Sequence, residues 1–175
     1  MKKLDIKNKK SSFTDKVTEM NNQDFFFESG TIILGLAKRH KISLSMAIID
    51  IDDLKVLNDK YSYDIANRII KSIANTLKEK CRKCDLLCYL GDGRFGLLLY
   101  DISGINTNIL SDTLRKKIES NRYSTKKDKF NITASIGATV IHTQMNDETL
   151  ESIYDKAYLA TNEAKEKGKN CVVIY

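Results

Sequence analysis

The run Ser43-Leu44-Ser45-Met46-Ala47-Ile48-Ile49-Asp50-Ile51-Asp52 is almost continuously apolar and ends in acids. A strand reads this way when both of its faces are buried, because alternation is needed only where one face meets water. Such a strand must be central and covered on two sides. The flanking segments supply the cover. From Asn22 to about His40, Phe25, Phe26, Ile32, Ile33 and Leu36 recur at roughly helical spacing. Leu54 to Tyr61 reads as a short helix or turn. Ile65, Ile69, Ile70, Ile73, Ala74 and Leu77 predict an amphipathic helix from about Asp64 to Lys83. Two apolar runs, Leu86 to Leu90 and Phe95 to Tyr100, flank Gly91-Asp92-Gly93 and predict a hairpin. Asn106 to Ser120 reads as helix and Phe130 to Ile141 as a strand with alternation. Asp147 to Lys167 reads as a helix stopped by Gly168, and Cys171 to Tyr175 as a last strand. One hairpin among βα units implies an α/β sandwich with a mixed sheet.

A chain of 175 residues fits one domain. Residues 1–14 are Lys-rich and polar and read as a tail or the end of a longer helix, and 15–175 contains no linker and no repeat. No apolar run approaches a membrane span, and no apolar secretory stretch follows the basic start, so the expected compartment is the cytoplasm. The net charge of +6 and pI near 9.0 suit an anionic ligand such as a nucleotide, or simply a solvated basic surface. An aromatic-plus-basic RNA signature is missing, which argues against nucleic acid as a partner. Cys81, Cys84 and Cys88 have the spacing C-x2-C-x3-C, yet neither His40 nor His142 is near them in sequence. They are expected to be buried or reduced thiols rather than metal ligands.

Five short segments, in order, resemble one family. Ile48 to Asp59, IIDIDDLKVLND, is close to D-x-D-x-F-K-x-x-N-D. Asp15-Lys16-Val17-Thr18 and Asn22 echo D-x-L-T-G-L-x-N-R. The hairpin Gly91-Asp92-Gly93-Arg94-Phe95 follows at the place of a Gly-Gly-Asp-Glu-Phe turn. Thr133-Ala134-Ser135-Ile136-Gly137 echoes V-S-I-G, and Ala164-Lys165-Glu166-Lys167-Gly168-Lys169-Asn170 echoes A-K-x-x-G-R-N. Together they resemble the GGDEF domain, the bacterial cyclic-di-GMP module, over essentially 15–175. The resemblance implies a palm-like mixed sheet flanked by helices, as in nucleotidyl cyclases. It also implies a reaction that joins two GTP molecules across a homodimer, each held with divalent cations.

Carried over residue by residue, Asp50 and the backbone carbonyl of Ile51 match the metal position, where a hard oxygen set suits Mg2+. Lys55, Lys165 and Lys169 match phosphate contacts; Lys169 replaces an Arg and loses its planar fork. Asn58 and Asn67 match guanine contacts. Asp52 and Asp53 add negative charge, and Asp53 could otherwise serve only as a helix N-cap. Arg82 and Asp85 form an R-x-x-D at the offset of the family's product-inhibition site, where they would hold cyclic di-GMP. Failing that role, the two would pair with each other between a helix end and the next strand.

The departures are concentrated at the chemistry. Gly93 stands where the second metal carboxylate belongs, Arg94 where a Glu belongs, and Asp92 where a Gly belongs. Asp92 is acidic but one position early. Asn67 replaces an Asp, Ser62 and Ala66 replace glycines, and Glu19 and Gln23 replace Gly and Arg in the opening motif. The expectation is a degenerate GGDEF domain without cyclase activity and with no catalytic residues. It would hold Mg2+ weakly or not at all, and would sense cyclic di-GMP or GTP. Its partner would be an adjoining EAL phosphodiesterase or sensor domain, since the chain stops just after its final strand. The alternatives are an active cyclase with an unusual metal set and an interaction module that binds no nucleotide.

Overall fold

The computed structural model describes residues 13–125, 128–142 and 148–175. The run Leu44–Ile51 forms β1, and all eight of its residues are buried. It lies at the centre of a five-stranded sheet of order β2-β3-β1-β6-β7, built with Leu86–Gly91 (β2), Arg94–Tyr100 (β3), Ala134–Ile141 (β6) and Val172–Ile174 (β7). β1 is antiparallel to both neighbours, and β7 joins parallel to β6. The sheet is therefore mixed, and the expected α/β architecture holds.

The pleat of β1 sorts its side chains between two cores. Met46 and Ile48 face one core, together with Phe26, Leu34 and Ala37 of α1 (Gln23–His40) and Leu150, Ile153 and Ala157 of α5 (Leu150–Glu166). Ala47, Ile49 and Ile51 face the other. There they meet Leu57 of α2 (Leu54–Tyr61), Ile69, Ile73 and Leu77 of α3 (Tyr63–Lys80), and Leu114 and Ile118 of α4 (Gly104–Ser120). Each fully buried Ile of β1 contributes about 1.5–3 kcal/mol by leaving water.

Three sequence expectations are corrected. α3 ends at Lys80, not Lys83, where the extended Cys81 closes it. α4 starts two residues early, because the Ser103 side chain accepts a hydrogen bond from Asn106 N–H and caps it. Phe130 to Ile141 is two strands, not one: β5 (Lys129–Asn131) and β6. β6 is buried at nearly every position because it is interior, between β1 and β7, so it does not alternate. β5 pairs with β4 (Arg122–Ser124) in a separate hairpin that was not foreseen. Its Phe130 stacks on Tyr61 at 4.6 Å and tethers the end of α2. Of the expected tail, residues 1–12 and the helix start at Asp147 lie outside the described residues. Phe13 packs edge-on against Phe25, and Thr14 bridges to Asn21.

Three positions where the resembled family uses Gly keep a glycine-like backbone without one. Glu19, Ser62 and Asp92 have φ of 54°, 129° and 50°. Asp tolerates the left-handed region, but Ser62, with ψ of 160°, occupies a region that only Gly adopts readily. Gly137 is required for a different reason. A Cβ there would sit 2.1 Å from Thr161 N and 2.4 Å from Ala157 O, because α5 crosses β6 backbone to backbone. Urea denaturation is expected to separate the two effects. Ser62→Gly should raise stability by about 1 kcal/mol, strain relief exceeding the added chain entropy. Gly137→Ala should lower it by about 3 kcal/mol or more.

Candidate nucleotide-binding site

Five backbone segments meet at the acidic end of β1. Asp50 is the last residue of β1 on the α1/α5 face, and its side chain is 12% exposed. Arg94 opens β3 directly opposite it in the ladder. Lys165, in the last turn of α5, places its Nζ 2.6 Å from Asp50 Oδ2. Burial pushes the Asp50 carboxyl above its usual range, while Lys165 and then Arg94 pull it back. The acid here is thus already matched by fixed cations.

Asp52 has a different task from its neighbour. It is 4% exposed, and its two oxygens accept from Thr133 Oγ1 at 2.6 Å, Ser135 Oγ at 2.7 Å and Asn170 N–H at 3.1 Å. It therefore fastens the end of β1 to the start of β6 and to the turn before β7. Asn170 continues the network through its side chain to Arg115 and Glu119 of α4, at 2.8 Å each. Asp53 occupies the N-cap position of α2 but makes no cap bond; its carboxylate pairs with Lys169 Nζ at 2.6 Å. Both members are well exposed, so the pair contributes little to stability. The N-cap reading of Asp53 is corrected accordingly. Its left-handed φ of 55° turns its side chain away from the helix start.

The hairpin follows from its two central residues. Asp92 and Gly93 both have positive φ, the backbone of a type I′ turn, for which Asp-Gly is a favoured pair. Gly93 N–H donates to the Tyr89 hydroxyl at 3.0 Å, and Gly93 C=O accepts from Ile51 N–H at 3.1 Å. A Cβ on Gly93 would lie 2.4 Å from Leu54 Cδ2. Asp92 does not reach Asp50: its side chain is 92% exposed and lies 3.5 Å from Arg94 Nη2.

Lys55 and Asn58 share one face of α2, three residues apart. Lys55 is exposed, and Asn58 Oδ1 is buried with no hydrogen-bond partner among the described residues. Asn67 is exposed on α3. The pair Arg82 and Asp85 lies elsewhere, at the far end of β3, roughly 20 Å along the strand from Arg94. The expected side-chain pair between them is not made. Asp85 Oδ2 accepts from the backbone N–H of Arg82 at 2.8 Å and Oδ1 from Tyr100 N–H at 3.1 Å. The carboxylate clamps a turn, and the exposed Arg82 guanidinium borders a cavity of about 350 Å³ that Tyr100, Ile102 and Ile109 also line. The four thiols are free: Cys84 is exposed and Cys88 buried, and burial pushes Cys81 and Cys88 up to about 12.

The α/β fold is that of solved GGDEF domains. The GGDEF domain of DgcB from Caulobacter crescentus, solved in complex with c-di-GMP, aligns with a TM-score of 0.87 at 19% identity, covering 93% of this chain and 95% of that one. The FimX GGDEF domain from Pseudomonas aeruginosa aligns at 0.84 with 18% identity, covering 94% and 99%. The family described as diguanylate cyclase, GGDEF domain, matches residues 12–171, and the chain belongs to it. Among curated relatives, the probable diguanylate cyclase DgcT of Escherichia coli K12 is 33% identical over 164 residues, 91% of this chain and 35% of that protein. Diguanylate cyclase A of Treponema denticola is 26% identical, over 92% of this chain and 44% of its own length. The chain thus spans less than half the length of these relatives. Among the described residues no helix is long and apolar enough to cross a membrane.

Sequence reasoning missed the anchoring role of Asp52 and the parts played by Tyr89, Leu54 and Asn170. Its one usable signal was the pair Thr133 and Ser135, hydroxyls bracketing the start of β6. The raised Asp50 carboxyl gives a test of the site. A carboxyl with a higher pKa folded than unfolded binds its proton more tightly in the native state. Its contribution to stability is full at low pH and is lost as pH rises through the folded value. Asp50→Asn does not titrate, so the stability of the variant relative to wild type, read from urea midpoints, is expected to rise from acid toward neutral pH. A flat or falling difference would show that the Lys165 pair dominates.

Proposed function

We propose that this chain is a GGDEF domain that senses cyclic di-GMP or a guanine nucleotide and does not synthesise cyclic di-GMP. The observation that carries this reading is the hairpin: Gly93 supplies no carboxylate and has no room for one while Leu54 stays in place, and Arg94 stands opposite Asp50. Phosphoryl transfer between two GTP molecules needs divalent cations held by several carboxylates. The residues present do not fit Mg2+ in that role. Asp50 is held by an ammonium, the Asp52 oxygens are taken by three donors, and Gly93 has no room for a side chain while Leu54 stays in place. Among the described residues no group of three or more His, Cys, Asp or Glu could hold a metal ion.

Two features support binding. The buried, unpartnered Asn58 Oδ1 calls for a donor, which a guanine edge supplies, with Lys55 one turn away for phosphate. Asn67, Lys165 and Lys169 complete the proposed cleft. At the other end of β3 the exposed Arg82 guanidinium borders its cavity beside the Asp85 turn and suits a cyclic dinucleotide, as a fork onto phosphate or a guanine edge. The proposed domain is 15–175, acting as a homodimer or on an adjoining EAL phosphodiesterase or sensor domain. The identity to a probable diguanylate cyclase favours the alternative, an active cyclase with an unusual metal set.

Incubation with GTP and Mg2+ or Mn2+, read by chromatography, is expected to give no cyclic di-GMP. Steady product formation would overturn the reading in favour of the alternative. Calorimetry with cyclic di-GMP is expected to show binding that falls by about tenfold or more in Arg82→Ala. Arg82 is the clean probe, because Asp85→Ala would also release the backbone of Arg82 and Tyr100.

A further inference from the structure

The rim beside Asp50 is lined by cations and aromatic rings. Arg94 lies with its guanidinium carbon 5.8 Å from the centre of the Tyr158 ring, and its side chain is 26% exposed. Tyr158 stacks parallel to Tyr154 at 6.2 Å, and Tyr154 packs on Phe27 at 5.3 Å. The stack backs the guanidinium with a cation–π platform. One turn-and-turn-again further along α5, seven residues on, Lys165 reaches Asp50. Tyr154, Tyr158 and Lys165 thus form one stripe of α5, with Arg94 against its middle.

The charges decide what this rim attracts. Asp50 and Lys165 neutralise each other at 2.6 Å. Among the described residues, the polar contact of the Arg94 guanidinium is a long one, 3.5 Å, to the solvated carboxylate of Asp92. A guanidinium carries five N–H donors in a planar fork, so most of this one's capacity is unspent. Lys165 and Arg94 offset the charge that Asp50 would offer a divalent cation; an anion with several oxygens would replace the weak Asp92 contact by short, charge-assisted bonds.

We propose that this rim is a site for the polyphosphate end of a nucleotide that works without a divalent metal. The Arg94 guanidinium, held on Tyr158, supplies the positive charge that a metal ion supplies elsewhere. The inference rests on the reading of the cleft as a nucleotide-binding site, and it adds the ligand chemistry and the residue that selects it. Arg94 contacts phosphate directly; Tyr158 positions Arg94.

The probes are inorganic triphosphate and GTP, titrated by calorimetry in EDTA and in excess Mg2+. Both are expected to bind in EDTA, with affinity equal to or above that in Mg2+, because a chelated phosphate presents less charge to Arg94. Arg94→Ala is expected to weaken both by about tenfold or more, and Arg94→Lys by less, since the point charge remains without the fork. Tyr158→Leu should weaken binding less than Arg94→Ala, and Tyr158→Phe should not change it. Arg94→Gln, which keeps the length and planarity, replaces Arg94→Ala if that variant does not fold. Strict Mg2+ dependence, or unchanged affinity in the Arg94 variant, overturns the proposal. Binding of cyclic di-GMP through Arg82 without any triphosphate binding overturns it and leaves the sensing reading in place. Triphosphate binding through Arg94 together with cyclic di-GMP formation supports it and overturns the sensing reading instead.

Discussion

The buried carboxylate of Asp52 is the constraint on which the functional end of the molecule depends. A buried carboxylate without partners is costly, and this one is stable because three donors from two segments converge on it. Thr133 and Ser135 come from the start of β6, and Asn170 from the turn leading to β7. The bonds fix where β1 stops and therefore where Asp50 and Asp53 project. Through Asn170 the same network reaches Arg115 and Glu119 on α4, so the site's edge and the outer helix layer are one hydrogen-bonded unit.

From that anchor the two neighbouring acids acquire opposite environments. Asp50, one pleat position before Ile51, turns to the α1/α5 face and is buried beside Lys165 and Arg94. Asp53 turns outward and holds Lys169 in solvent. The pleat of β1 sets the direction of Asp50, and the left-handed backbone of Asp53 just beyond the strand sets the other. Arg94 then owes its position to the hairpin: the Asp92-Gly93 turn sets the register that pairs it with Asp50. A site built this way carries balanced or positive charge at the point where metal-dependent phosphoryl transfer needs several carboxylates.

Much of the fold was legible. The central strand was readable because burial on both faces leaves an unbroken apolar run. The helices were readable because one apolar stripe repeats at 3.6 residues. The stretch from Phe130 to Ile141 was misread, since a two-strand break between Asn131 and Ala134 carries no Gly or Pro, and an interior strand need not alternate. The β4–β5 hairpin was invisible for a related reason. Its stability comes from Tyr123, Phe130 and Tyr61 stacking, and Tyr61 is far away in sequence. For the site, the residue types were legible through family resemblance, but their pairings were not. Lys165 with Asp50, Lys169 with Asp53 and Asp85 with backbone all depend on distances that only the folded chain sets.

The sequence by itself determined the mixed α/β architecture, the family, and the identity of the side chains at the hairpin, because these follow from local periodicity and ordered short motifs. The tertiary structure decided which charges meet. It made Asp52 an anchor, Asp50 a partner for cations, Gly93 a position closed by Leu54, and Arg94 a guanidinium held on an aromatic ring. The reason is physical: local pattern fixes which face of an element is apolar, whereas electrostatic partnership depends on separations of a few ångströms between residues far apart in the chain.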